Sequence, residues 1–262
     1  MSKTNKKLLA ALAEYSSCAI GDVLVKTGYA HGGYIPDLEL FSPADKSQVK
    51  LVGEAFTVKM ISDVESNKSP KPEQHFIDAA EEGSIIVISA PSYIKNAVWG
   101  GLMTAGAKAK NIQGVVIDGR CRDLADHRNA GFPVFARGHS ILGQATYTRP
   151  AEINQPVTIT AHPPTIETYN SLFPALTIRA LDVIVADEDG VVVIRPEHVN
   201  DVLEACKTNK EVEAKCMKDL QAGRSVGDTL KEHRGASGAS AQQKSEDKKE
   251  DTKEDKKEDK KE

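Results

Sequence analysis

Apolar positions recur along most of the chain in two alternating rhythms. FTVKMI at 56–61, SIIVISA at 84–90 and GVVIDG at 114–119 are short, β-branched runs, while QHFIDAAEEG and LMTAGAKAKN between them have helical spacing. That alternation predicts an α/β domain. The runs at 84–90 and 114–119 lack strict apolar-polar alternation, as strands covered on both faces do, so they are expected at the centre of a sheet. After PVFARG at 133–138 the pattern becomes strands with short connections: PVTITA, then LDVIVADEDGVVVIRP at 181–196, whose acidic turn ADEDG between two β-branched runs predicts a hairpin. Helical spacing frames these strands, first through Leu8, Leu9, Leu12 and Tyr15, and finally from Pro196 through Val199, Val202, Leu203, Ala205 and Cys206. The sum is a mixed, layered α/β domain with no internal repeat, distinct from a doubly wound nucleotide fold.

Composition sets the limits of that domain. With 262 residues, 40% of them hydrophobic and 27% charged, the chain can bury one substantial core. From residue 235 onward, GASGASAQQKSEDKKEDTKEDKKEDKKE has no aromatic and no large aliphatic residue. The expected organisation is therefore a folded domain over 1–234 and a disordered, solubilising tail over 235–262. The 34 basic and 38 acidic residues give a net charge of -4, much of both signs lying in the tail, so no basic surface for nucleic acid is expected. Neither a signal-peptide pattern nor a bilayer-length apolar stretch is present, which points to a cytoplasmic protein without a membrane partner. Cys18, Cys121, Cys206 and Cys216 form no C-x-x-C pair and no zinc spacing, so free, buried thiols are expected.

Two neighbouring segments carry candidate chemistry. In AVWGGLMTAGAKAKNIQG at 97–114, a helix starting at Gly100 or Gly101 would present unpaired N–H groups and the positive end of its dipole to an anionic ligand; the same glycines could simply make a tight turn. In GVVIDGRCRDLADHR at 114–128, an apolar strand ends in Asp118, Arg120, Arg122, Asp123, Asp126, His127 and Arg128. Charges of both signs at a strand end offer an acceptor for a hard cation and a donor fork for a carboxylate or carbonyl. A salt-bridged helix start, with Asp123 as a dipole-favoured carboxylate, has the same composition. His127, on that charged helix start, is expected to face solvent. Asp22 and the glycines of HGGY at 31–34 could line the same pocket, or could be a helix cap and a plain turn.

WGGLMTAGAKAKNIQGVVIDGRCRD, with LDVIVADEDGVVVIRP downstream and VGEAFTVK upstream, resembles the RraA-like family over most of residues 15–225. That family includes 4-hydroxy-4-methyl-2-oxoglutarate aldolases, oxaloacetate decarboxylases and the bacterial RNase E regulator; the likeness is greatest to its eukaryotic, fungal-like branch. The resemblance implies a β/β/α layered fold assembled as a homotrimer or hexamer, with a divalent cation near the subunit boundary. It implies that Asp123 holds Mg²⁺ or Mn²⁺ and that Arg122 binds the 2-oxo and carboxylate oxygens of a small 2-oxo acid. Backbone amides at Gly100, Gly101, Leu102 and Met103 would receive the substrate carboxylate. The implied activity is carbon-carbon lyase chemistry through a pyruvate enolate; the alternative is a non-catalytic binding protein of the RNA-processing machinery. One position departs from the pattern: the bacterial aldolases carry an Asp where this chain has Gly101. That carboxylate helps remove the hydroxyl proton in retro-aldol cleavage, which decarboxylation does not require. No glycine-rich nucleotide loop follows an early strand, so methyltransferase activity is not expected.

Overall fold

The computed structural model describes residues 3–29, 31–64, 69–161 and 173–235. Of the tail expected over 235–262, residues 236–262 lie outside the described residues. The chain divides into two compact units, Met1–Leu203 and Glu204–Glu262.

In the first unit, α1 (Lys6–Leu12) and α2 (Ser17–Lys26) precede β1 (Glu39–Ser42) and the long β2 (Leu51–Ser62). Then come α3 (Phe76–Ala79), β3 (Ile85–Ser89), α4 (Gly101–Ala109), β4 (Gly114–Cys121), α5 (Leu124–Ala130) and β5 (Val134–His139). The strands β6 (Thr148–Ile153), β7 (Val157–Ile159), β8 (Leu176–Ile178), β9 (Val183–Asp187) and β10 (Gly190–Ile194) follow. The helix α6 (Val199–Gln221) begins in this unit and runs into the second, which also holds α7 (Val226–Arg234). No single helix among the described residues is long and apolar enough to cross a membrane.

The main sheet has the order β1-β5-β4-β3-β2-β9-β10, with β6 paired to β2. Strands β2, β3, β4 and β5 run parallel, whereas β9 and β10 form the antiparallel hairpin expected from the acidic turn. β3 and β4 are central, and their burial explains the missing alternation. Ile86, Ile88, Val115 and Ile117 enter one apolar cluster with Phe76, Ala107 and Phe132, the helix-covered side. Ile85, Val87 and Val116 enter the other cluster, with Val157, Ile178, Ile184 and Val191 from β7 to β10. Successive side chains of a strand point to opposite faces, so a strand between two cores is apolar at every position. This is the β/β/α layering: helices, central sheet, and a second β layer. Each such Ile or Val contributes roughly 1.5–3 kcal/mol by leaving water.

Local differences have local causes. The helical spacing through Tyr15 is broken because Ser16 caps a new helix, its side chain accepting from Ala19 N–H. The helix expected over QHFIDAAEEG is reduced to Phe76–Ala79, since Ala80 turns extended. Asp22 lies exposed within α2 and caps nothing. Gly32 and Gly33, with φ of 61° and 67°, make a turn packed on the Gly21 and Val193 carbonyls, and neither lines the cavity that Gly100 borders.

Candidate functional site

The parallel strands β3, β4 and β5 release their chains at one edge, and backbone hydrogen bonds hold the three exits together. Val98 N donates to Arg120 O and Arg122 N to Trp99 O, each at 2.9 Å; Ala97 N donates to Leu142 O, and Ser140 N to Cys121 O. The first turn of α4, the Arg122–Asp123 pair and the loop after β5 therefore meet at the carboxyl ends of the central strands, the usual ligand position in α/β sheets.

Asp123 sits in the left-handed region, φ 62° and ψ 46°, a conformation that costs a non-glycine residue about 1 kcal/mol or more. It occupies the N-cap position of α5 yet makes no side-chain bond to that helix. Its Oδ2 instead accepts from Gly101 N at 2.9 Å, at the start of α4. The carboxylate thus answers the unpaired amides of a helix contributed by a different strand exit, not the dipole of its own. Arg122 Nε lies 3.5 Å from the same oxygen. Because Gly101 N–H is engaged, the first-turn amides left to face a ligand are those of Leu102 and Met103, beside Gly100.

The two glycines are demanded by space. A Cβ on Gly100, whose backbone is extended, would lie 2.7 Å from Asp123 Oδ2 and 3.2 Å from Arg122 Nε. A Cβ on Gly101 would lie 2.3 Å from Asp126 Oδ2. Asp126 thus fills the place from which a side chain at 101 would start. The Arg122 guanidinium continues along the loop after β5, where a Cβ on Gly143 would meet its Nη1 at 2.9 Å.

Beneath this edge lies a buried polar chain. Trp99 Nε1 donates to Thr104 Oγ1 at 2.9 Å, and that hydroxyl is 2.8 Å from His127 Nδ1. Trp99 can only donate, so the hydroxyl proton is free to point at His127, which then keeps its own proton on Nε2. His127 is fully buried, contrary to the expectation of a solvent-facing group: Leu124 and Ala130, three residues to either side, also face the core. Burial holds its pKa below the ordinary 6.5. Cys121 is likewise inert, its buried thiol pushed up to about 12. All four cysteines are free, and Cys18 is exposed rather than buried.

Gly100, Leu102, Met103, Arg122 and Asp123 border one cavity of about 150 Å³, suited to a small acid rather than a nucleotide. His75 and Gln144 complete its wall. Neither is singled out by sequence, since His75 only precedes a helical run and Gln144 sits in a loop. A larger cavity of about 450 Å³ lies before β3, lined by Lys3, Glu54 and Glu81 among others. There Lys3 pairs with Glu81 and the Thr4 amide with Glu54, so its charged groups largely satisfy one another. The strand-exit cavity has the open donors and acceptors.

Comparison with known proteins agrees with this architecture. A Methanocaldococcus jannaschii protein of uncharacterised function is 30% identical over 188 residues, which is 72% of this chain and 81% of its own. Protein DlpA of Legionella pneumophila is 27% identical over 235 residues; the match takes in 89% of this chain but only 34% of that longer protein. A Halalkalibacterium halodurans protein provisionally named a 4-hydroxy-4-methyl-2-oxoglutarate aldolase is 33% identical over 128 residues, 49% of this chain and 54% of its own. In fold, the chain matches a Pseudomonas syringae structure with a TM-score of 0.71 at 24% identity, covering 87% and 99% of the two chains. Streptomyces coelicolor RraAS2, described as an unusual member of the RNase ES inhibitor RraA protein family, matches with a TM-score of 0.64 at 18% identity over 81% and 97%. The family model RraA-like, described as Aldolase/RraA, matches residues 15–193, and with that span covering most of the folded chain, this protein belongs to the RraA-like family.

Proposed function

We propose that this protein is a divalent-metal-dependent carbon-carbon lyase acting on small 2-oxo dicarboxylic acids, as an oxaloacetate decarboxylase, a 4-hydroxy-4-methyl-2-oxoglutarate aldolase, or both. The observation that carries the proposal is that Arg122, Asp123 and the residues Leu102 and Met103 at the start of α4 border one cavity, with Asp123 tied to that helix through Gly101 N–H. Asp123 fits a cation. Its Oδ2 is held by Gly101 N–H, while its Oδ1 has no hydrogen bond among the described residues, so the carboxylate is oriented with one acceptor open. A hard cation that keeps several of its waters asks for little more from the protein. Asp123 would therefore hold Mg²⁺ or Mn²⁺, which when bound polarises carbonyl and carboxylate oxygens.

The chain's own groups supply the rest. Leu102 and Met103 N–H donate to the substrate's 1-carboxylate at the helix terminus. Arg122 faces the 2-oxo oxygen, where negative charge gathers as the carbon-carbon bond breaks, and stabilises it most at that moment. Decarboxylation needs only this, since carbon dioxide leaves and water protonates the remaining carbon. Retro-aldol cleavage also needs a base for the hydroxyl proton, and Asp126 is the carboxylate standing where a side chain at 101 would begin.

Leu102 and Ile141, 83% and 89% exposed, flank the site with the exposed Leu142 and Tyr147. Apolar exposure of this kind suits a homotrimer or hexamer closing over the cavity.

The test is pyruvate release from both substrates, with Mg²⁺ and with chelator, by the native chain and by Arg122→Ala and Asp123→Ala, together with Mn²⁺ binding and solution mass. Chelator-sensitive turnover that falls about a hundredfold or more in both variants, with Mn²⁺ affinity falling in Asp123→Ala, is the expected result. A native chain with no metal-dependent turnover would overturn the proposal in favour of a binding role.

A further inference from the structure

His75 lies at the N-cap of α3 and borders the same cavity as Arg122 and Asp123. Its Nδ1 accepts a hydrogen bond from Ile77 N–H at 3.2 Å. An imidazole nitrogen that accepts a hydrogen bond carries no proton, so while the cap holds, the ring's N–H is on Nε2. Stacking on Phe76, with ring centroids 4.4 Å apart, further fixes the ring, and Phe76 is itself buried in the core. Nε2 has no hydrogen-bond partner among the described residues. The result is an oriented, neutral donor at the cavity wall. It cannot act as a proton relay in this state, because giving up the Nε2 proton would leave an imidazolate.

The polar groups of the cavity fall into two sets. The α4 amides, Arg122 and Asp123 suit the 2-oxo acid end of a ligand, which needs a cation, a fork donor and a helix terminus. His75 and the Gln144 amide are neutral side chains from other elements, suited to hydrogen-bonding an acceptor further along the ligand. We infer that His75 is a specificity-determining residue whose Nε2–H donates to the second, distal carboxylate of a 2-oxo dicarboxylic acid. This rests on the lyase reading above and goes beyond it by assigning the residue that distinguishes two-carboxylate ligands from ligands with no distal group.

The experiment uses the full chain with Mn²⁺, and two unreactive probes: oxalate, which reproduces only the 2-oxo acid end, and 2-oxoglutarate, which adds a distal carboxylate. His75→Asn keeps a side-chain acceptor for Ile77 N–H, since Asn is a good N-cap, but removes the Nε2–H donor. The expected outcome is an unchanged melting temperature, 2-oxoglutarate binding weakened about tenfold or more, and oxalate binding changed by less than about twofold. In the native chain, nitrogen NMR should show the proton on Nε2, and that signal should move with 2-oxoglutarate but not with oxalate. This second readout decides the matter even if the variant proves unstable. Equal weakening of both probes, no weakening of either, or a proton on Nδ1 would overturn the inference while leaving the lyase reading in place. A native chain that binds neither probe would remove both.

Discussion

The molecule contains two glycine pairs that look alike in sequence and do different work. Gly32 and Gly33 have positive φ, and a Cβ on Gly33 would lie 2.3 Å from the backbone oxygen of Val193. The nearest atom to each is a main-chain oxygen, which cannot step aside as a side-chain end can. Gly100 is extended, and the atoms crowding Gly100 and Gly101 are the ends of Asp123, Arg122 and Asp126 side chains. The first pair closes a turn; the second leaves room for charged groups to gather at a helix start. What separates the two pairs is the chemistry of the atoms occupying the missing side chain's space.

The largest effect that could break this comparison is at Gly33. Gly33→Ala combines left-handed strain with a backbone overlap and should cost about 3 kcal/mol or more in denaturant unfolding. A stable variant would show that the turn can relax and that the pair is less constrained than its geometry implies.

Gly101→Ala sharpens the other side. Asp126 is exposed and its carboxylate can rotate away, and alanine favours a helix over glycine, so stability should hold or rise by up to about 1 kcal/mol. If Asp126 is the base proposed for the aldol route alone, turnover of the hydroxylated substrate should fall about tenfold relative to oxaloacetate. An unchanged ratio of the two activities would remove Asp126 from the chemistry.

The smallest effect concerns the chain beneath the second pair. His127 has a pKa held below 6.5 by burial, so the unfolded state binds its proton more readily than the folded one. Its contribution is thus intact above pH 6.5 and is lost as pH falls below that value, by at most about 1.4 kcal/mol per unit. His31, also shifted down by burial, adds to the native slope. Comparing unfolding midpoints between about pH 7.5 and 5.5, His127→Gln should show a shallower acid loss than the native chain. An identical slope would mean that His127 is protonated in place.

These contrasts also mark what could be read from the chain. Strands β3 and β4 were legible because burial on both faces leaves a continuous apolar run, and the β9–β10 hairpin because its turn is acidic and its flanks β-branched. The start of α4 at the glycine pair was legible as a helix N-terminus. β1 and β6 were not, being short segments that pair with strands distant in sequence, nor was β8, a three-residue strand paired with its predecessor β7. His127 was misread because Asp126 and Arg128 beside it are exposed, although the spacing with Leu124 and Ala130 places it on the inner face. The bond from Gly101 to Asp123 spans 22 positions between two strand exits, and no local pattern encodes it.

The position of Asp126 bears on how charge is read from a chain. Along the chain, position 101 is a glycine and carries no acidic group of its own. In three dimensions, the Asp126 carboxylate of α5 stands 2.3 Å from where a side chain at 101 would begin, so the spot is charged although its own residue is not. Charge at this spot is therefore legible only when positions 101 and 126 are taken together, never from position 101 alone.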